Sequence, residues 1–184
     1  VVPDRAARRI AALPRVAEAA VTVGLDGRVT LFVRERTPQV AVPHRGGYLI
    51  LDRSAIVLDV APRPGRLPVV SAEGFAPAWV RAGSRLPDRR IDTALRALED
   101  LPEGVRAAGM RLRVTTDEEV VLVTPDGIPV RLGAARGLPQ RAALLPDLLD
   151  ALRARRLAVE YLDLRYAGSV VLKPLAAERA GERP

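Results

Sequence analysis

VEYLDLRYAGSVVLK, residues 159–173, is the stretch whose reading decides the fold. As an extended chain it sets Ala158, Glu160, Leu162, Leu164 and Tyr166 on one face and Val159, Tyr161, Asp163 and Arg165 on the other, the two-residue period of a strand. Ala167-Gly168 supplies a permissive turn, and residues 169–173 resume a β-branched, apolar run that stops at Pro174. The spacing predicts a hairpin. Nothing after the second arm reads as an ordered element, since residues 175–184 have the composition of a frayed polar tail. The outer side of that arm is therefore expected to be a sheet edge, open to a strand from another chain.

The rest of the composition fits an aliphatic sheet protein. The 184 residues are 48% apolar and 28% charged, enough for one or two domains with a core. The six aromatic residues leave that core to Val, Leu, Ile and Ala. The net charge of +7 comes almost wholly from Arg, Lys173 being the one lysine. These arginines are scattered through every segment and lack aromatic platforms, which argues against nucleic acid as a partner. The absence of cysteine removes disulfides, thiolate metal sites and Cys nucleophiles. No run reaches the length of a membrane span, and no signal peptide opens the chain.

Upstream of the hairpin the pattern alternates between the two periods. Residues 4–13 have helical spacing, with Asp4 as cap and Pro14 as stop. Residues 16–23 and 28–35 are two strands joined across Leu25-Asp26-Gly27. A helix and one hairpin bury too little to stand alone, so this unit leans on the downstream chain or continues upstream. A boundary falls near Pro38. Residues 39–42, 48–51, 55–60 and 67–70 are short strands, with turns at His44-Arg45-Gly46-Gly47 and Asp52-Arg53-Ser54. Residues 73–87 are irregular, and residues 88–101 form a helix capped by Asp88. Residues 110–115, 119–124 and 128–132 form a three-stranded meander. Residues 138–156 form a Leu-striped helix in which Pro146 kinks the first turns.

In this order the motifs resemble a known family. IAALPRVAEAAV with the subsequent VTLFVRERTPQVAV is similar to the second half of the POTRA domain of the FtsQ/DivIB division proteins. GGYLILDRSAIVLDV, LPVVSAEG, VVLVTPDGIPVRLG and YLDLRYAGSVVLKP resemble successive pieces of that family's β-domain. One departure is Gly24-Leu25-Asp26-Gly27, where members usually carry an aromatic-Pro turn. The first POTRA strand and helix, the transmembrane helix and the cytoplasmic tail have no counterpart here, so the chain is taken as a truncated extracytoplasmic part.

The resemblance implies an α+β fold with three divisions. These are a partial POTRA unit over residues 1–38, a mainly antiparallel β-domain with two helices over 39–174, and a flexible tail over 175–184. It also implies a single-pass protein of the plasma membrane at the division septum, a non-enzymatic scaffold without cofactors. Its partners are division proteins of the FtsB (DivIC) and FtsL type, whose strand adds to the last strand of the β-domain. The matching positions here are Tyr166, Gly168, Ser169, Val170, Val171, Leu172 and Lys173.

Read from the residues alone, these positions leave alternatives open. Tyr166 is an anchor for a partner or a core residue sharing parity with Leu162 and Leu164. One of the pairs Val171/Lys173 and Val170/Leu172 should face the core. Asp163 and Arg165 form either a charged contact for a partner or a solvated salt bridge. Asp117, Glu118 and Glu119 fit a polar hairpin turn better than acid–base chemistry, and His44 sits in a turn without a nucleophile elbow. Gly104 and Gly109 open no helix of a βαβ unit, so no phosphate loop is expected. A cell-wall-modifying hydrolase of α+β class is the alternative function, motivated by the acidic cluster and the loop carboxylates.

Overall fold

A computed structural model describes residues 3–77, 79–106, 109–166 and 168–175. The chain opens with helix α1 (Pro3–Ala11), whose Asp4 and whose Arg8 and Arg9 sit at the ends that suit the helix dipole. Strands β1 (Val16–Val23) and β2 (Val29–Glu35) come next as an antiparallel ribbon, separate from the main sheet. Its register pairs Ala19 with Val33, Val21 with Leu31 and Val23 with Val29, giving one wholly apolar face. Helix α1 packs on β1, while β2 stays exposed along its length.

A buried ion pair joins this ribbon to the rest. Arg36 donates to the carbonyl of Val16 at 3.2 Å and to Asp52 at 2.7 Å. Asp52, only 4% exposed, also accepts from the backbone N–H groups of Ser54 and Ile56 at 2.8 and 2.9 Å. The carboxylate thus closes its own hairpin turn and holds the arginine just past β2. Arg15 adds an exposed contact to Asp59 at 2.8 Å.

The main sheet has nine strands. They are β3 (Val40–His44), β4 (Gly47–Leu51), β5 (Val57–Ala61), β6 (Val69–Ala72), β7 (Arg111–Val114), β8 (Val120–Val123), β9 (Pro129–Gly133), β10 (Val159–Asp163) and β11 (Val171–Pro174). The spatial order is β11-β10-β9-β8-β7-β6-β3-β4-β5. Five of the eight neighbour pairings are antiparallel; β3/β6, β6/β7 and β9/β10 are parallel. Each parallel pairing needs a crossover, and helices α2 (Arg89–Asp100), α3 (Leu138–Ala142) and α4 (Leu145–Ala154) lie within the two long ones. Their apolar sides meet Leu112, Val114, Leu122, Val130, Leu132 and Leu162 in one core. Arg45 and Gly46, both at positive φ, make the two-residue turn between β3 and β4.

The two edges of this sheet differ. At β5, Val57 donates to Ser84 O at 2.9 Å and accepts from Gly83 N at 2.7 Å, so residues 83–84 occupy its outward groups. Further along, the N–H of Val60 is taken by the side chain of Asp59 at 2.8 Å. Among the described residues, no element pairs with the outer side of β11.

Several expectations shift. The strand expected over residues 67–70 begins at Val69, because Pro68 has no N–H to contribute and serves only as acceptor for Ala41 N. The helix expected over residues 138–156 is two helices, with Pro146 in the first turn of the second, where its missing N–H is harmless. Asp88 caps α2 as expected, accepting from Arg90 N at 2.8 Å. Asp88→Ala is expected to remove about 1 kcal/mol of stability, read as a lower urea midpoint with an unchanged slope.

Candidate functional site

The candidate site is the end of the sheet formed by β10 and β11. β10 is not the regular strand its spacing suggested. A bulge between Val159 and Tyr161 shifts the parity, so Val159 and Leu162 are both buried while Ala158 and Glu160 are exposed. The expected two-residue turn is also corrected. Asp163 pairs with Val171, leaving residues 164–170 as a seven-residue connection, of which Ala167 lies outside the described residues. The reason is that Leu164 keeps bonding to the sheet, its N–H donating to Arg131 O at 2.9 Å, and is itself buried.

Arg165 ties this connection down. Its Nε and Nη2 grip Asp163 at 3.0 and 2.7 Å, its backbone N–H adds a third bond at 3.1 Å, and its Nη1 reaches Glu119 at 3.4 Å. Asp163 is 4% exposed, so the solvated salt bridge expected there is instead a buried one. The adjacent guanidinium holds the Asp163 carboxyl below the usual carboxylate range. Gly133 makes the room: a Cβ on it would stand 2.9 Å from Arg165 Cγ, at a φ of +75 that L side chains rarely adopt. The guanidinium carbon lies 5.7 Å from the centre of the Tyr166 ring.

Tyr166 is accordingly no core residue; it is 59% exposed. The connection then turns, Ser169 N donating to Tyr166 O at 3.1 Å, with Gly168 in the left-handed region. Nor does either pair on the last arm face the core. Val170, Val171 and Leu172 are 39%, 44% and 41% exposed, and Lys173 pairs with Glu160 at 2.7 Å. Every residue of β11 is exposed, on both of its faces. A shallow cavity of about 650 Å³ beside Tyr166 is lined by Leu144, Leu164, Arg165, Gly168 and Ser169, and by residues of α3.

A family model described as "Cell division protein FtsQ/DivIB, C-terminal" matches residues 40–165, more than half of the chain. The chain belongs to the FtsQ/DivIB family. FtsQ/DivIB proteins act in cell division, and that role extends to this chain. Among solved structures, the chain is similar to the major extracytoplasmic domain of the trans isomer of the bacterial cell division protein DivIB from Geobacillus stearothermophilus. The identity is 18% and the TM-score 0.43, over 66% of this chain and 97% of that one. No curated protein matches. The FtsQ/DivIB match ends at Arg165, so the α1–β1–β2 unit and the positions from Tyr166 to Lys173 lie outside it.

The remaining candidates are dispersed. His44 ends β3 opposite Gly47, Asp117 and Glu118 lie in the β7–β8 turn, and Glu119 is engaged by Arg165. Among the described residues no group of His, Asp and Glu side chains could hold a metal, and no helix is long and apolar enough to cross a membrane. Sequence reasoning missed Glu119 as part of the site. Its separation of 46 residues from Arg165 leaves no local signal.

Proposed function

We propose that this FtsQ/DivIB protein is a non-enzymatic scaffold of the division machinery that recruits a partner by strand addition along β11. Tyr166, Gly168, Ser169, Val170, Val171, Leu172 and Lys173 form the contact. The observation that carries the reading is the position of β11. It is the last strand of a nine-stranded sheet, and it presents apolar side chains on both faces beside an exposed tyrosine. An added strand would gain main-chain hydrogen bonds from the edge and register from Val171 and Leu172, with the cavity beside Tyr166 taking one of its side chains. The partners are of the FtsB (DivIC) and FtsL type. Residues 1–38 are the partial POTRA unit, 39–174 the β-domain and 175–184 the tail. The setting is extracytoplasmic, at the septum, with anchoring in the plasma membrane by an upstream helix.

Val171→Asp tests it. The variant should keep the circular dichroism spectrum of the parent and lose about a hundredfold in affinity for the extracytoplasmic part of the FtsB-type protein from the same organism. A folded Val171→Asp protein with full binding overturns strand addition at this edge.

A further inference from the structure

The face of the sheet opposite the helices carries a second surface. Register partners share a face, so one row runs Ser71, Arg113, Val121, Arg131, Asp163 and Val171 across six strands. The next row places Val69, Arg111, Val123 and Pro129 side by side. Arg111, Arg113 and Arg131 are exposed, whereas Val121 and Val123 between them are half-buried. Arg111 and Arg113 take part in no ion pair among the described residues, and Arg131 stacks on Tyr161 at 4.7 Å. The carboxylates near this face are committed elsewhere: Asp163 and Glu119 to Arg165, Glu160 to Lys173. Like charges gathered on one face repel, and Asp163, beside Arg131 in the row, offsets them only in part because Arg165 already holds it.

From this we infer that the open face of β7–β9 binds an extended acidic polypeptide. Arg111 and Arg113 stand about 6.7 Å apart along β7, the spacing of alternate side chains on an extended chain. Arg113 and Arg131 stand about 9.6 Å apart, two strand spacings, with Val121 between them. Guanidinium groups match carboxylates in bidentate geometry, and the valines below them can receive the apolar residues of an alternating chain. An anionic bilayer fits less well, because the apolar residues lie beneath the arginine tips and cannot reach the acyl region.

Poly-L-glutamate is the simplest probe, monitored by fluorescence anisotropy at low and high salt. The triple variant Arg111→Gln, Arg113→Gln, Arg131→Gln should weaken binding about tenfold. A charge-matched control, Arg5→Gln, Arg8→Gln, Arg9→Gln on α1, should not. Equal losses in the two triples, or no loss in the first, overturn the assignment, as does binding to phosphatidylglycerol vesicles without binding to poly-L-glutamate. Leu172→Asp, on the other face of β11, should leave poly-L-glutamate binding intact, which separates this surface from recruitment at β11. Arg131→Gln alone provides a milder variant if the triple unfolds.

Discussion

Asp52→Ala is expected to destabilise the protein by about 3 kcal/mol or more, the range found when one member of a buried ion pair is removed. The change leaves Arg36 without its partner and strips the N–H groups of Ser54 and Ile56 of their acceptor. Asp52→Asn should recover part of the loss, since an amide oxygen can still serve the turn. Chemical denaturation monitored by circular dichroism reads the midpoint. Limited proteolysis adds a local readout, with cleavage near Thr37-Pro38 appearing at lower protease in the alanine variant, because Arg36 also holds the carbonyl of Val16. An unchanged midpoint would show that Arg36 and Asp52 do not join the ribbon to the sheet.

Asp163→Ala is the companion case at the other end of the sheet, with an expected loss of about 3 kcal/mol. The alanine releases Arg165 from its bonds to Asp163 and leaves its guanidinium with Glu119 and the ring of Tyr166. The connection from β10 to β11 loses its clamp, so binding at the proposed edge should weaken together with stability. A pH series identifies the cause. The folded-state pKa of Asp163 is lowered by Arg165, so its stabilisation is present above the ordinary aspartate value of 3.8 and disappears as pH falls through the folded value. Parent and variant should differ most near neutrality and converge in acid. A difference that stays constant down to low pH would assign the loss to packing instead of charge.

Most elements are legible in the sequence because their signals are local. Asp88 with the Ile91, Leu95 and Leu98 stripe announces α2, and His44-Arg45-Gly46-Gly47 announces the turn that the structure narrows to Arg45 and Gly46. What escapes is set by distant residues. The bulge in β10 depends on its pairing with β11, and the burial of Asp163 on contacts to Arg165 and the neighbouring strand. The arginines read as scattered because 18 positions separate Arg113 from Arg131, yet two antiparallel turns bring both to one row. Parity leaves Tyr166 open between core and surface, and parity fails once the strand ends at Asp163.

The unlike ends of the sheet have a bearing on stoichiometry. With Val57 bonded to residues 83 and 84 and the N–H of Val60 taken by Asp59, β5 offers an incoming strand fewer backbone groups than β11 does among the described residues. Under the proposed strand addition, one partner strand per chain at β11 is therefore the expected ratio, and sedimentation of the complex reads it.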